Sequence, residues 1–292
     1  KKMKKIIILI PVFNDWESLK KLINEINESI KDFENIDFEC LIVNDASTDN
    51  KPEFKKPNRI KMLEILNMKE NKGHQRCNAF GIRYVLKNKK FDNLILMDGD
   101  GEDRPVEIKS LVSSILKDPT TSVVAKRVQR SEGLIFKFLY QVHKLITLIF
   151  TGKNINFGNY SILTKADVKK IHSKASLWSN YSGTIKKNLK TLNEINSIRG
   201  LRYFGPSKMS LFKLLIHSFS IIAVFKYQVF LRSAFLILIL IYTHSYFGNF
   251  TILLQLLIVT FSLMIFITSQ REKEKELISS HENLLEKISI TD

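Results

Sequence analysis

The chain has 292 residues, which is enough for one large domain with an appendage. Its formal net charge of +16 at pH 7 favours an anionic partner: nucleic acid, a membrane surface or a phosphorylated substrate. Nucleic acid is not predicted, because the basic residues are scattered and accompany neither zinc-finger spacing nor an RNA-binding aromatic motif. Cys40 and Cys77 are too few for a disulfide framework, which favours a reducing compartment.

Apolar runs and amphipathic stripes alternate along the first half of the chain. Strands are predicted at residues 6–10, 38–43, 60–66, 94–97 and 122–128. Helices are predicted at residues 16–30, 71–88 and 106–116. This alternation predicts an α/β fold with a mostly parallel, Rossmann-like sheet. Ligands bind beyond the carboxyl ends of the strands in such sheets, so the polar clusters at 14–15, 44–49 and 98–103 are predicted to share one site.

The acidic run after the 94–97 strand is the most informative segment. Asp98, Asp100 and Glu102 occupy alternate positions, so their carboxylates are predicted to converge at one sheet edge. Gathered carboxylates repel one another unless a cation neutralises them, and hard oxygen ligands suit Mg²⁺ or Mn²⁺ shared with a phosphate ligand. An acidic solvated turn is the alternative for a lone motif. The polar clusters that accompany it favour the metal site.

The second half of the chain indicates a membrane. Residues 233–270 contain no Asp, Glu, Lys or Arg, and spans are predicted at 227–246 and 250–269, each of about twenty residues, as a bilayer requires. Residues 134–150 are predicted to form a buried or interfacial helix, and residues 211–225 a helix in the headgroup plane. Basic residues flank the outer ends of the two spans, so the positive-inside rule predicts that both flanks are cytoplasmic. A buried soluble hairpin is the alternative.

These features predict four parts. They are a cytoplasmic α/β domain at residues 1–207, an amphipathic juxtamembrane helix at 208–226, a two-helix transmembrane hairpin at 227–270 and a cytoplasmic tail at 271–292.

Several short motifs follow one another in a specific order. They are IPVFND at 10–15, VNDASTD at 43–49, NKG at 71–73, MDGDGEDRPVE at 97–107, Arg127 with Arg130, GNYS at 158–161 and GPSK at 205–208. In this order, and followed by two predicted spans, they resemble the family-two glycosyltransferases with the GT-A fold. Within that family the chain looks most like the polyprenyl-phosphate glycosyltransferases, the group that includes dolichyl-phosphate mannose synthase.

The resemblance implies a reaction and a set of site residues. The reaction is an inverting transfer of a hexose from a nucleotide-diphosphate sugar to undecaprenyl or dolichyl phosphate at the bacterial inner membrane, and a homo-oligomer is compatible with it. The residues implied to bind the nucleotide sugar are Pro11, Phe13, Asn14, Asp15, Asp45, Ser47, Asn71, Gly73, Asp98 and Gly99. Asp100 and Glu102 are implied to hold Mg²⁺ or Mn²⁺, and the implied catalytic residues are Asp98, Asp100 and Arg127. Turn capping is the alternative role for Asp45 and Asp49.

The acceptor side is inferred from basic residues. A lipid phosphate is already an anion, so the protein needs to attract and orient two anionic partners with little help from a general base. The candidates for holding the acceptor phosphate are Arg127, Arg130, Ser207 and Lys208, since arginine grips phosphate at two points. Solvated surface or attraction to anionic lipid is the alternative for Arg130 and Lys208.

Departures from the family pattern affect donor identity more than reaction class. The family usually has two acids before Gly-Ser where this chain has Asn44-Asp45-Ala46-Ser47, and often has Gln in place of Glu102. It often has Asp-Pro-Pro or His-Pro-Pro at residues 103–105. Nucleotidyltransferases are excluded because their Gly-rich loop is missing after the first predicted strand, and processive polysaccharide synthases because no Gln-x-x-Arg-Trp motif is present. Another cell-envelope acceptor and a catalytically silent membrane-tethered scaffold stay open as alternatives.

Overall fold

The computed structural model describes residues 3–129, 134–205 and 210–291. The strands in these ranges are β1 (Lys4–Val12), β2 (Ile36–Asn44), β3 (Ile60–Met68), β4 (Asn93–Leu96), β5 (Val123–Gln129), β6 (Phe157–Thr164), β7 (Asn193–Ile198) and β8 (Leu284–Ile290). The helices are α1 (Trp16–Ser29), α2 (His74–Asn88), α3 (Ile108–Lys117), α4 (Leu134–Thr151), α5 (Lys165–Ile171), α6 (Tyr181–Asn188), α7 (Leu211–Ala223), α8 (Lys226–Tyr242), α9 (His244–Phe247), α10 (Asn249–Ser269) and α11 (Glu274–Ile278). These strands form one sheet in the order β7-β5-β6-β4-β1-β2-β3-β8.

The centre of the sheet is parallel. β1 pairs in parallel with β2 and β4, and β2 pairs in parallel with β3. Ile6, Ile8 and Ile10 pack in the core with α1 and α3, whereas Ile7 and Leu9 pack in the core with α2, α5 and α6. Alternate side chains of a strand point to opposite faces, so a strand covered on both sides is a continuous apolar run. The predicted parallel α/β core is confirmed.

The flanks of the sheet are mixed. β6 runs antiparallel to both β4 and β5, β8 runs antiparallel to β3, and β5 is parallel to β7. The prediction of a mostly parallel sheet therefore holds for the centre and is corrected at both edges. The apolar pattern of a strand carries no information about its direction. Few residues of β7 and β8 are buried, so these strands also lack a strong apolar signal.

Helices α7, α8 and α10 occupy the predicted membrane region. Among the described residues, α10 belongs to the one helical segment that is long and apolar enough to cross a membrane alone. α7 and α8 pass this test only together, and they are bent by 87° at the break between them. The described residues therefore contain one or two candidate spans, and the pair of C-terminal transmembrane helices stays a prediction.

α4 packs on this group of helices. Arg232 on α8 donates from Nη1 to the carbonyl oxygen of Ile149 on α4 at 3.0 Å, and the rings of Phe150 and Phe261 are 4.5 Å apart. Large apolar side chains remain exposed on the outer surfaces, including Leu145 on α4 and Leu238 on α8. Large apolar side chains exposed in such numbers on packed helices indicate a site of membrane or protein contact.

After α10 the chain returns to the sheet. Lys226 at the start of α8 contacts Glu272, just beyond α10, with 2.9 Å between Nζ and Oε2. Trp178 Nε1 then donates to Glu276 Oε2 at 3.0 Å, and Leu277 is fully buried in the core beside α2. The last strand, β8, closes the edge of the sheet at β3. The segment predicted as a tail thus supplies β8, a strand of the α/β sheet.

Candidate active site

The site begins where β4 ends. Asp98 follows β4 by two residues, and its Oδ1 accepts a hydrogen bond from Asn159 Nδ2 on β6 at 3.1 Å. The same oxygen lies 3.1 Å from Nε2 of His74, the first residue of α2. Three elements that are distant in sequence therefore converge on Asp98.

The neighbours of Asp98 stabilise its charge. Burial raises the pKa of Asp98, but the charges of His74 and Arg127 and the hydrogen bonds from His74 and Asn159 outweigh burial and lower the pKa below its usual value. Partial burial lowers the pKa of His74, and the charge of Asp98 and its hydrogen bond outweigh that effect and raise the pKa. Asp98 and His74 therefore favour an ion pair at the centre of the site.

Two arginines cover the acidic residues predicted to bind the metal. Arg202 donates from Nη1 to Asp100 Oδ2 at 2.6 Å and from Nη2 to Asp15 Oδ2 at 2.5 Å. Arg199 donates to Glu102 Oε2 from Nε at 2.9 Å and also from Nη2. Each predicted metal ligand is therefore neutralised by a guanidinium group.

These arginines belong to residues 199–204, which we call the crossing segment. It runs over the loop that carries the acidic residues, where Tyr203 N donates to Asp100 O at 3.0 Å. Gly101 in that loop has a φ of +88°, and a Cβ there would lie 2.5 Å from the Tyr203 ring. Glycine is required both for the backbone conformation and for the close approach of the crossing segment.

Asp100 and Glu102 are a donor set that suits a hard divalent cation. Burial, and then the charges of Asp98 and Glu102, raise the pKa of Asp100 to about 6, and a cation relieves both effects. In the part of the chain that the structure describes, no three acidic, His or Cys side chains converge in a geometry that holds a metal ion. A cation on Asp100 and Glu102 would therefore have to displace Arg199 and Arg202 and take its further ligands from water or from a bound substrate.

The loop after β2 is held against the end of β1. Asn14 N donates to Ser47 Oγ at 2.9 Å, and Asn14 Oδ1 accepts from Thr48 N at 2.8 Å. Asn14 and Ala46 have φ values of 48° and 56°, the left-handed region that residues other than glycine seldom adopt. The hydrogen bonds between the two loops therefore hold a backbone that is unfavourable by itself.

Asp45 is 3% exposed and anchors the loop before α2. Its two carboxylate oxygens accept hydrogen bonds from Lys72 N at 2.7 Å and from Gly73 N at 2.8 Å. This contact is closer to the alternative of loop capping than to the implied contact with a nucleoside base, which stays a prediction.

The other residues predicted to bind the nucleotide sugar surround the same strand ends. A Cβ at Gly99 would lie 3.0 Å from Pro11 O, so the ends of β1 and β4 are in contact there. Phe13 is 40% exposed, and Asn71 is also exposed, so both side chains are accessible to a ligand.

Arg127 on β5 lies beside this centre. Its Nη2 is 3.8 Å from Asp103 Oδ1, and its side chain is 18% exposed. A Cβ at Gly158 would approach Nη2 to 2.8 Å, so glycine at that position makes room for the guanidinium. His217 on α7 interacts electrostatically with Arg127 and His74, so a helix of the apolar group borders the same centre. Arg130, Ser207 and Lys208 lie outside the described residues.

Four of these polar residues were missing from the sequence prediction: His74, Asn159, Arg199 and Arg202. His74 directly follows the NKG motif and Asn159 lies within the GNYS motif, so both stand in segments that the sequence analysis singled out. Arg199 and Arg202 could not be predicted as site residues, because they lie in a segment with no predicted element or motif. Basic residues in such a segment are most simply interpreted as solvated surface.

A family model that matches most of the chain identifies the family to which the chain belongs. Residues 7–192, more than half of the chain, match the model described as Glycosyl transferase family 2. The chain belongs to glycosyl transferase family 2. The predicted family is confirmed. The matched region of this family 2 member contains the acidic centre, and it ends just before β7, so that it excludes the crossing segment and helices α7 to α11.

Several curated relatives of this family 2 member have a name that includes a lipid phosphate. The chain is 28% identical over 226 residues to the undecaprenyl-phosphate 4-deoxy-4-formamido-L-arabinose transferase of Yersinia enterocolitica. It is 25% identical over 225 residues to the protein of the same name in Serratia proteamaculans. Both matches cover 73% of this chain and 65% of the relative, so the chain spans less than two thirds of their length.

Solved structures show the same fold. Glucosyl-3-phosphoglycerate synthase from Mycobacterium tuberculosis, in complex with Mn²⁺, UDP-glucose and phosphoglyceric acid, aligns with a TM-score of 0.54 at 14% identity, over 77% of this chain and 80% of that chain. Mannosyl-3-phosphoglycerate synthase from Rubrobacter xylanophilus aligns with a TM-score of 0.53 at 13% identity, over 76% and 72% of the two chains. The Rossmann-like α/β fold predicted from the sequence is thus shared with these proteins.

Proposed function

We propose that this family 2 member is a membrane-bound inverting enzyme that transfers a hexose from a nucleotide-diphosphate sugar to a polyprenyl phosphate. The family supports the transfer of a sugar, and the names of the curated relatives support undecaprenyl phosphate as the class of acceptor. The proposal includes a bacterial inner membrane location with the α/β domain in the cytoplasm.

The position of Arg127 is the observation that carries the proposal. Arg127 lies next to the acidic centre, through Asp103, and on the strand that precedes α4. α4 in turn packs on α8 and exposes apolar side chains. A cation located between a nucleotide-sugar centre and an apolar helical surface suits an acceptor whose phosphate is polar and whose chain is a hydrocarbon.

In the proposed reaction the acceptor phosphate is the nucleophile. One of its oxygens forms a bond to the anomeric carbon on the face opposite the nucleotide. The bond from that carbon to the diphosphate breaks, and the nucleoside diphosphate leaves with the electron pair. Arg127 orients the acceptor phosphate. The ion pair of Asp98 and His74 holds the side chains on one side of the sugar site in position.

A divalent cation belongs to the proposal. Asp100 and Glu102 would hold Mg²⁺ or Mn²⁺, and when bound the cation would neutralise the charge that develops on the leaving diphosphate. The Mn²⁺ in the solved complex of the M. tuberculosis synthase supports this class of cofactor. Arg199 would then be released from Glu102 and the Nη1 group of Arg202 from Asp100, while Arg202 would keep its contact with Asp15. The released N–H groups would be available to an anionic ligand at the same edge.

The proposed topology has two spans with both ends on the side of the α/β domain. The contact of Lys226 with Glu272 joins the two ends of the α8–α10 pair next to that domain, and β8 returns to its sheet. This supports the predicted cytoplasmic location of both flanks, in agreement with the positive-inside rule.

Transfer to a lipid phosphate is the test of the proposal. Purified full-length protein is incubated in detergent with undecaprenyl phosphate and a panel of radiolabelled nucleotide-diphosphate sugars. We expect label from at least one donor in the organic phase, and none with Asp98→Asn at the same protein concentration. Transfer to a water-soluble phosphorylated acceptor in preference to the lipid would instead favour another cell-envelope acceptor. Donor binding without any transfer would favour the silent scaffold.

A further inference from the structure

A row of polar side chains connects the last strand of the chain to the loop after β2. Asn67 on β3 donates from Nδ2 to Glu286 Oε1 on β8 at 2.7 Å. Asn67 Oδ1 accepts from Asn44 Nδ2 at 2.8 Å, and Asn44 Oδ1 accepts from Ser47 N at 3.0 Å. Ser47 Oγ then accepts from Asn14 N at 2.9 Å. The row therefore extends from β8 to the end of β1.

Three side chains of this row, those of Asn44, Asn67 and Glu286, are partners in the sheet. Asn44 is opposite Asn67 in the β2–β3 pair, and Asn67 is opposite Glu286 in the β3–β8 pair. Directly opposite side chains lie close enough for hydrogen bonds across a sheet. Asn44 is the last residue of β2, so the row lies at the carboxyl end of the parallel centre, where the site is.

The direction of these hydrogen bonds is fixed at both ends of the row, by the carboxylate of Glu286, which only accepts, and by the N–H of Ser47, which only donates. An ionised carboxylate only accepts, whereas an asparagine amide can present either its oxygen or its NH₂ group. Glu286 therefore requires Asn67 to turn its NH₂ group towards β8 and its oxygen towards Asn44. Asn44 must then turn its own oxygen towards the N–H of Ser47.

We propose that Glu286 is a positioning residue for the nucleotide-sugar site, which it orders from the C-terminal strand through Asn67 and Asn44. The inference rests on the proposed function for the identity of the ligand. The loop needs such support because Ala46 has a φ of 56°, which is unfavourable for a residue with a Cβ. Glu286 itself does not touch the donor, so its loss affects donor binding through the loop.

The neighbouring residue on β8 provides a matched control. Lys287 contacts Glu64 with 3.2 Å between Nζ and Oε1, so it attaches β8 to β3 without joining the row. Glu64 also pairs with Lys89 at 2.5 Å, so the buried carboxylate keeps a partner in Lys287→Met. Lys287→Met therefore weakens the attachment of β8 and leaves the direction of the amides unchanged.

The experiment compares Glu286→Gln, Glu286→Ala, Glu286→Lys and Lys287→Met in the full-length protein. Hydrogen exchange at the Ser47 amide reports on the loop without substrate, and the donor and acceptor KM values are measured with kcat. We expect Glu286→Gln to resemble the wild type, because its amide can present an oxygen. Glu286→Ala should raise the donor KM about threefold to tenfold, with faster exchange at Ser47 and an unchanged acceptor KM. Glu286→Lys should have a larger effect, because a donor at this position reverses the amides and turns the NH₂ of Asn44 towards Ser47 N–H.

Lys287→Met should have the donor KM and the Ser47 exchange of the wild type. Equal effects in Lys287→Met and Glu286→Ala would overturn the inference, because the role of Glu286 would then be attachment of β8. An unchanged donor KM in Glu286→Lys would also overturn it. If the wild type transfers no sugar while exchange at Ser47 still follows the predicted series, the proposed function fails and the row of hydrogen bonds stands.

Discussion

Arg202 donates a hydrogen bond of 2.6 Å to Asp100, the residue that the family resemblance assigns to the metal. The other nitrogen of the same guanidinium binds Asp15, which follows β1, so one arginine joins the ends of two central strands. Arginine holds carboxylates at two points and keeps its charge at any physiological pH. The positive charge at the acidic centre is therefore supplied by a side chain of the protein.

Asp100→Asn should reduce kcat/KM at least a hundredfold while the protein still folds, because the amide is a weaker ligand for a hard cation. EDTA should abolish transfer by the wild type, and Mg²⁺ or Mn²⁺ should restore it. Asp32→Asn, which alters an exposed ion pair with Lys109, is the control and should keep full activity. Equal turnover in EDTA and in Mn²⁺ would remove the metal from the proposed function.

Arg202→Met should increase the affinity for a divalent cation, since the cation no longer competes with a guanidinium for Asp100. We expect the Kd for Mn²⁺, measured by electron paramagnetic resonance without substrate, to fall about tenfold to hundredfold, the effect of a lost charge-assisted hydrogen bond. Lys21→Met is the control, because Lys21 lies over the Tyr203 ring of the crossing segment without contact to Asp100. A Kd that rises in Arg202→Met would show that the arginine assists the cation.

Arg127→Ala should raise the KM for polyprenyl phosphate or lower kcat, with donor affinity nearly unchanged. A lost charge-assisted hydrogen bond corresponds to roughly 1.5–3 kcal/mol, or about a tenfold to hundredfold loss in kcat/KM. Arg127→Lys should restore part of the loss, because a point charge does not reproduce the two-point contact. Lys126→Ala is the matched control on the same strand, since Lys126 pairs with Glu194 at the surface. An equal loss of donor affinity in Arg127→Ala would assign Arg127 to the nucleotide.

A cysteine at Ser245 should react with an impermeant thiol reagent added outside intact cells, because Ser245 is exposed in the connection between α8 and α10. Ser280 lies on the other side of the predicted topology, but it is only 6% exposed, so a cysteine there would be protected by burial alone. The exposed His281 is the better position, and His281→Cys should react only after the cells are permeabilised. The native Cys40 and Cys77 are buried and give no background. Labelling of His281→Cys in intact cells would contradict the predicted orientation and place the C-terminal flank outside the cytoplasm.

The sequence predicted the parts of the fold that depend on local burial. Residues 6–10 could be assigned to a strand because both faces of the strand are buried, which makes the run continuously apolar. Helix α1 could be assigned because one of its faces is buried, which leaves an apolar stripe in the sequence. β8 could not be assigned, because most of its side chains are at least partly exposed and its pairing with β3 depends on a distant segment.

In the site, the acidic residues could be predicted from their alternate positions after a strand. Their partners could not, because Arg202 is 102 residues from Asp100 and only the tertiary fold brings them together. The same holds for Glu286, whose contact with Asn67 spans 219 residues. Sequence patterns thus identified the charges that need neutralising, and the structure identified the groups that neutralise them.

The return of the chain to β3 has a consequence for biosynthesis. A ribosome completes β3 long before β8, and the apolar helices α8 and α10 emerge between the two strands. Until β8 has been synthesised and pairs with β3, β3 is an open edge of the nascent sheet. Open edges can pair with strands of other chains. In the proposed topology, insertion of α8 and α10 into the membrane therefore precedes closure of the sheet. A version truncated after residue 207 would lose the edge strand β8 together with these two helices. A water-soluble version should instead connect residues 271–291 directly to the α/β domain.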